Sequence, residues 1–146
     1  MTEDEVEAFL HERQTMNIAS FGPDGNIHLV AMWYGFLDDQ LAFWTFGKSQ
    51  KIVNLRRDPK ITALVEEGDA YSELRGVELV GTGRIVEDYE TIVRIALSVA
   101  ERHVGPAGVS DDARPFIEAQ AHKRLGVVID VERTASWDHR KLGGRY

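Results

Sequence analysis

The segment Thr45-Phe46-Gly47-Lys48-Ser49-Gln50-Lys51 gathers the groups that bind an anion. A strand signal ends at Phe46, Gly47 permits a turn, and Ser49 stands near the cap of a helix signal. A helix start presents unpaired amides and the positive end of the helix dipole, and a hydroxyl with two ammonium groups adds donors and charge. Lys48 and Lys51 are two of only five lysines in a chain whose formal net charge is −7. The plainer reading is a pair of solvated lysines, yet the dipole disfavours cations at a helix start, which weighs toward an anion site. Aromatic residues supply a second signal: Met32, Trp33 and Tyr34 end one strand pattern, and Phe43, Trp44 and Phe46 line the next. Neighbouring antiparallel strands would bring these side chains into a flat apolar wall. Such a wall beside an anion site suits a planar heteroaromatic ring with a phosphorylated side chain. Phe43 reads more simply as core.

Other chemical signals fail on spacing. Gly47-Lys48-Ser49 resembles the end of a phosphate-binding loop, but that motif needs Gly at position 42, which is Ala. Gly81-Thr82-Gly83 lacks the third glycine of a dinucleotide fingerprint, since position 86 is Val, and it lies inside a strand pattern. His11, His28, His103, His122 and His139 show no metal-ligand spacing and read as surface or capping residues. No Gly-x-Ser-x-Gly elbow occurs. Glu66, Glu67, Asp69 and Glu73 read as a solvated loop rather than paired catalytic carboxylates. No catalytic side chain and no metal ligand is assigned.

The elements that must position the anion segment follow from periodicity. Thr2 and Glu5 fit a capping box ahead of Val6, Phe9 and Leu10, so a helix is predicted over about residues 2–13. Thr15 to Phe21 reads as a strand and Gly22-Pro23-Asp24-Gly25 as a turn. Asn26 to Phe36 alternates with both faces largely apolar, which predicts one strand covered on both sides. Asp38-Asp39 turns the chain into a strand from Leu41 to Phe46, completing an expected three-stranded meander. A short helix over Ser49 to Arg57 ends at Asp58-Pro59. Strands follow at Ile61 to Val65 and about Arg75 to Val86, the latter with Gly76, Gly81 and Gly83 as expected bulges or bends. Apolar residues spaced by three and four predict a helix at about 88–104, stopped by Gly105-Pro106. A second helix is expected to be capped by Ser110 or Asp111, before a last strand from Leu125 to Glu132. The tail from Ser136 to Tyr146 has neither period, but it carries Trp137, His139, Arg140, Lys141 and Arg145 and is expected to pack rather than hang free.

Six hairpin-linked strands with a few helices predict a mainly β, α+β fold: an antiparallel split β-barrel with flanking helices. The 146 residues, 43% hydrophobic and 28% charged, suit a single domain spanning 1–146. With no cysteine, disulfides, thiolate zinc sites and thiol nucleophiles are excluded. The acidic balance argues against a nucleic-acid binder, and no apolar run reaches the roughly 18 residues of a membrane span. The acidic start Met-Thr-Glu-Asp-Glu-Val-Glu is unlike a secretory leader, so a cytoplasmic location is expected.

The order of these features carries a resemblance. A Trp after an apolar strand is followed by Thr-x-x-x-Ser-x-Lys, then by a short helix with Asn54-Leu55 and Asp58-Pro59, then by a Val-Glu-Leu-Val-Gly-Thr-Gly-Arg strand. This resembles the flavin and deazaflavin oxidoreductases of the pyridoxamine 5'-phosphate oxidase-like split-barrel superfamily, most specifically along Lys48 to Pro59. The closing Ser136-Trp137-Asp138-His139-Arg140-Lys141-Leu142 resembles the deazaflavin-using branch. The resemblance implies an FMN-binding split-barrel fold and a homodimer with two cofactor sites at the subunit interface. It implies that Thr45, Lys48, Ser49 and Lys51 hold the cofactor phosphate, and that Val30, Met32 and Trp33 lie along the ring. Trp137 is expected beside the ring across the interface, with the tail cations facing an anionic cofactor tail. FMN-using members carry Ser-Arg-Lys where this chain has Ser49-Gln50-Lys51, and losing a bidentate guanidinium favours the deazaflavin coenzyme F420 over FMN. The expected activity is hydride transfer from reduced F420 to a small organic acceptor, with Tyr34 or His28 as a candidate proton donor. An FMN oxidase or reductase, and a non-catalytic cofactor carrier, stay open as alternatives.

Overall fold

The computed structural model describes residues 1–13 and 15–143. Its elements are α1 (Glu3–Glu12), β1 (Thr15–Phe21), β2 (Ile27–Trp33), β3 (Gly35–Leu37), β4 (Gln40–Phe46), α2 (Gln50–Arg57), β5 (Lys60–Glu67), β6 (Arg75–Val86), α3 (Tyr89–Val104), α4 (Arg114–Ala121) and β7 (Arg124–Asp138). Single 3-10 turns lie at Tyr71–Glu73, Gly105–Val109 and His139–Leu142.

The α1 start is the capping box read from the sequence: the Glu5 amide donates to Thr2 Oγ1 at 3.3 Å and the Thr2 amide to Glu5 Oε2 at 2.7 Å. Its other end is held by a side chain 90 residues away. The Arg102 guanidinium, from the last turn of α3, donates to the carbonyls of Leu10 at 3.1 Å, His11 at 3.4 Å and Tyr34 at 3.2 Å, and also to that of Arg13. Those of Leu10, His11 and Arg13 are carbonyls at the α1 end, which a helix leaves without an internal partner, while Tyr34 is the link between β2 and β3. The Tyr34 hydroxyl donates to Leu10 as well, at 2.7 Å.

All strands form one antiparallel sheet in the order β2-β1-β5-β6-β7-β4-β3. The expected meander is corrected here. β1 pairs with β2 and β3 with β4, but these two hairpins stand at opposite edges of the sheet. The outermost strands β2 and β3 are joined by Tyr34 alone, so the sheet must curl to bring its edges together. That accounts for seven strands where six are expected: the long strand from Asn26 to Phe36 is broken at Tyr34. The break has a packing cause. A Cβ at Gly35 would stand 2.6 Å from Ser98 Oγ on α3, and the Phe36 amide donates to that oxygen at 2.9 Å. The chain is drawn onto α3 and changes partner strand at this point.

Burial on β2 corrects a second expectation. Val30 and Met32 face the main core, but Ile27, Leu29 and Trp33 on the other face are 66%, 64% and 56% exposed. His103 of α3 stacks on Trp33, but Ile27 and Leu29 on this face stay open to solvent. The interior holds Phe9, Met16, Ile18, Tyr34, Phe43, Ile52, Val65, Val77, Val127 and Ile129, all nearly inaccessible, with Phe43 in the core as read from the sequence. α3 packs Ile95 and Val99 against Leu37, Ala42 and Val128 on the outside of the sheet.

β7 runs past its expected end at Glu132 to Asp138. Val80 pairs with Arg133 and Gly81 with Val131, leaving Glu132 as the extra residue of a bulge. A Cβ at Gly81 would lie 2.1 Å from the Asp130 carbonyl oxygen, so only glycine fits opposite the bulge. The second helix begins later than expected, at Arg114. Ser110 instead closes the preceding turn, donating to the Ala107 carbonyl at 2.9 Å and accepting from the Ala113 amide at 3.3 Å.

Candidate functional site

β4 ends and α2 begins where the sequence places the anion segment. The Ser49 amide donates to the Phe46 carbonyl at 2.9 Å, and the Gly47 amide to the Lys123 carbonyl at 3.0 Å, which ties the turn to the start of β7. Within it, Lys51 Nζ donates to Thr45 Oγ1 at 3.1 Å, and Thr45 Oγ1 lies 3.5 Å from Ser49 Oγ. Three of the four expected phosphate ligands are therefore together. Lys48 is exposed on the same turn and has no ion pair among the described residues. Ser49 occupies the cap position of α2, but its hydroxyl caps no amide, and the first turn holds no acid. Desolvation pushes the Lys51 ammonium below the ordinary lysine range. A half-buried cation, two hydroxyls and a helix start with no anion of its own are suited to a phosphate.

α2 is anchored so that its start stays in place. Asn54 is fully buried and donates to Ser20 Oγ at 3.1 Å, while Arg57 donates to the Phe21 carbonyl. Gln50 Nε2 donates to Asn54 Oδ1 at 2.8 Å, so the amide at the position where FMN users carry Arg is engaged along its own helix. The signal for Asn54 and Ser20 was weak in sequence, because a polar residue on a helix reads as solvated until its strand partner is known.

The other expected ligands are distributed. Val30 and Met32 line the inner side of β2, whereas Trp33 points to the opposite face and stacks on His103 at 3.9 Å. The expected wall of Met32, Trp33 and Tyr34 against Phe43, Trp44 and Phe46 does not form, because β2 and β4 are not neighbours. Tyr34 is also not a proton donor to a ligand: it is fully buried, hydrogen-bonded to Leu10, and burial pushes its phenol up to about 12. His28 is half-buried at the Ser20 end of β2.

Trp137 stands near the far end of β7 from Leu125, the residue paired with Thr45. At about 3.3 Å per residue the strand path between them is up to about 40 Å. In one protomer Trp137 does not join the Thr45, Ser49 and Lys51 group. It lies flat over β6, where a Cβ at Gly76 would meet its ring at 2.3 Å. The tail packs, as expected, but on its own chain. Its cations are partnered: Arg140 pairs with Asp138 at 2.6 Å and Lys141 with Glu5 at 2.6 Å. Arg140 holds the Asp138 carboxyl down to about 2. His139 meets the Tyr71 carbonyl at 2.8 Å. Gly144, Arg145 and Tyr146 lie outside the described residues. Among the described residues, no group of three His, Asp or Glu is arranged to hold a metal ion, and no helix is long and apolar enough to cross a membrane.

A family model described as pyridoxamine 5'-phosphate oxidase matches residues 2–138. The chain belongs to the pyridoxamine 5'-phosphate oxidase family. Among solved structures of this fold, the conserved hypothetical protein Rv2991 from Mycobacterium tuberculosis is 46% identical over 100% of this chain and 90% of that one, with a TM-score of 0.93. A structure described as an F420 reductase is 25% identical over 88% of this chain and 94% of that one, with a TM-score of 0.67. The heme storage protein HutZ from Vibrio cholerae shares the fold at 15% identity and a TM-score of 0.70, covering 93% of both chains. No curated protein matches by sequence. Proteins of more than one kind thus share this fold.

Proposed function

We propose that this member of the pyridoxamine 5'-phosphate oxidase family is an oxidoreductase that uses reduced coenzyme F420 to transfer hydride to a small organic acceptor. The observation that carries the reading is the Thr45, Ser49 and Lys51 group at an α2 start that has no acid and no side-chain cap. These residues, with Lys48, would hold the cofactor phosphate. Val30 and Met32 on the inner face of β2, and Trp33 at its end, would border the ring. When bound, the deazaflavin supplies the hydride; the chain's own residues hold the phosphate, orient the ring and exclude water. The protein needs no nucleophile and no metal for this.

The working form in this reading is a homodimer. Phe21, Ile27, Leu29 and Trp33 open an apolar face on β1 and β2, next to a groove of about 530 Å³ floored by Ala19, Ile61, Thr62 and Val80. A second copy of the chain would cover it and bring the partner's Trp137 toward the site. F420 rather than FMN is favoured because Gln50 is turned back onto Asn54 and offers no guanidinium to a phosphate.

Titration of the purified protein with both cofactors tests the reading. F420 should bind more tightly than FMN and, once reduced, be consumed by at least one acceptor in a panel. Recovery of yellow, green-fluorescing protein with stoichiometric FMN would reverse the cofactor assignment. Tight F420 binding with no turnover across the panel would make the protein a carrier.

A further inference from the structure

The cations left over at this end of the barrel form a second group. Beside the Gly47-Lys48 turn lies a cleft of about 590 Å³ lined by Phe46, Gly47, Lys48, His122, Lys123, Arg124 and Leu125. Four of these seven residues are basic and none is acidic. Three of the chain's five lysines, Lys48, Lys51 and Lys123, thus gather on one turn and its neighbour in a protein of net charge −7. The arrangement is built rather than incidental. Arg124 is held with its guanidinium 4.4 Å over the Trp44 ring, His122 stacks on Tyr89 at 4.6 Å, and the Lys123 carbonyl accepts from Gly47. Among the described residues Lys48, Lys123 and Arg124 have no carboxylate within ion-pair distance, whereas the tail cations Arg140 and Lys141 are each consumed by an acid. Like charges held close together without counter-ions repel, and an anion relieves that repulsion.

We infer that the Lys48, Lys123 and Arg124 cleft is a second anion subsite continuous with the Thr45, Ser49 and Lys51 group. The ligand it fits is a small molecule with a phosphate and, beyond it, a further run of carboxylates or phosphates. The inference rests on the reading that the α2 start holds a cofactor phosphate, and it moves recognition of the anionic extension from the tail at Arg140 and Lys141 to the β4–α2 and α4–β7 turns. It also makes ligand choice partly electrostatic: FMN ends at its phosphate and leaves this cleft empty, while a cofactor bearing several carboxylates fills it.

Binding of F420 with a multi-glutamate tail and of FMN, each measured by fluorescence at low and moderate salt, tests this. Lys123→Ala/Arg124→Ala should weaken F420 binding about tenfold, flatten its salt dependence, and leave FMN binding within about twofold. Lys123→Ala alone, which spares the Arg124–Trp44 stack, guards against a folding defect and should move both readouts in the same direction, again leaving FMN binding within about twofold. Lys51→Ala should weaken both ligands. Undiminished F420 affinity with an unchanged salt slope in both the double and the single variant overturns the inference, and a loss in Lys51→Ala in the same series leaves the phosphate reading standing. Equal weakening of F420 and FMN in both the double and the single variant also overturns it, by showing that the cleft acts on the shared phosphate. Wild-type protein that binds neither cofactor overturns both readings.

Discussion

Lys51 is the residue on which the phosphate reading turns, and its physics gives two separable expectations. Its ammonium is half-buried with a hydroxyl as its hydrogen-bond partner, so it costs the folded state some desolvation without an ion pair to offset it. A cation whose folded pKa is depressed loses its proton in the folded state before the unfolded one, so apo stability rises with pH between that lowered value and the ordinary value of about 10.4. Lys51→Met should therefore leave the apo melting temperature unchanged or raise it, while weakening cofactor binding by about 1.5–3 kcal/mol, the worth of a hydrogen bond to a charged group. Cofactor affinity runs the opposite way with pH: it should fall on alkalinisation earlier than an ordinary lysine would allow, because the contact needs the ammonium. Lys51→Arg should hold affinity flat to higher pH, since guanidinium stays charged. Melting curves and titrations across alkaline pH check both signs, and an early-melting Lys51→Met protein with normal affinity would make the residue structural.

Among the elements, α1 and β7 show how far local pattern reaches. α1 was legible at its start because a capping box is written in four consecutive residues, Thr2 to Glu5. Its end was not, because the residue that satisfies it, Arg102, is remote in sequence and becomes a partner only when α3 lies across the sheet. Removing that guanidinium deprives several carbonyls at once, so Arg102→Ala should cost at least about 2 kcal/mol; urea unfolding measures it, and an unchanged midpoint would mean that water replaces the contacts. β7 was legible to Glu132 and lost there for a definite reason. The bulge at Glu132 shifts the alternation by one residue, so Arg133 to Asp138 no longer continue the two-residue phase set by Leu125 to Asp130, although the strand goes on. Gly81 was read as a bend from its type alone, and the 2.1 Å approach of the Asp130 oxygen makes Gly81→Ala a test of that reading. It should destabilise by about 1–3 kcal/mol through overpacking. The break at Tyr34 had no local signal, since the apolar alternation continues through it.

At the scale of the whole molecule, the two halves of the expected site are separated. Thr45, Ser49 and Lys51 cluster at one end of the β4–β7 pairing, and Trp137 lies toward the opposite end of β7. The sequence pattern singles out both sets but has no means of measuring the distance between them, which is set by one long bulged strand. A site that uses both must draw on two chains, and the open apolar face of Phe21, Ile27, Leu29 and Trp33 is where a second chain would sit. Leu29→Arg should then yield monomers by light scattering and lose cofactor affinity together with the dimer, although residue 29 touches neither set. The sharper test is complementation. Lys51→Ala and Trp137→Leu homodimers should each bind cofactor weakly. If each site takes Lys51 from one protomer and Trp137 from the other, a mixed dimer holds one intact site and one doubly damaged one, so random exchange of equal amounts should restore about a quarter of the wild-type sites. Titration of the exchanged mixture counts them. If both residues served the same protomer's site, every site in every mixed dimer would carry one lesion, and mixing would restore none.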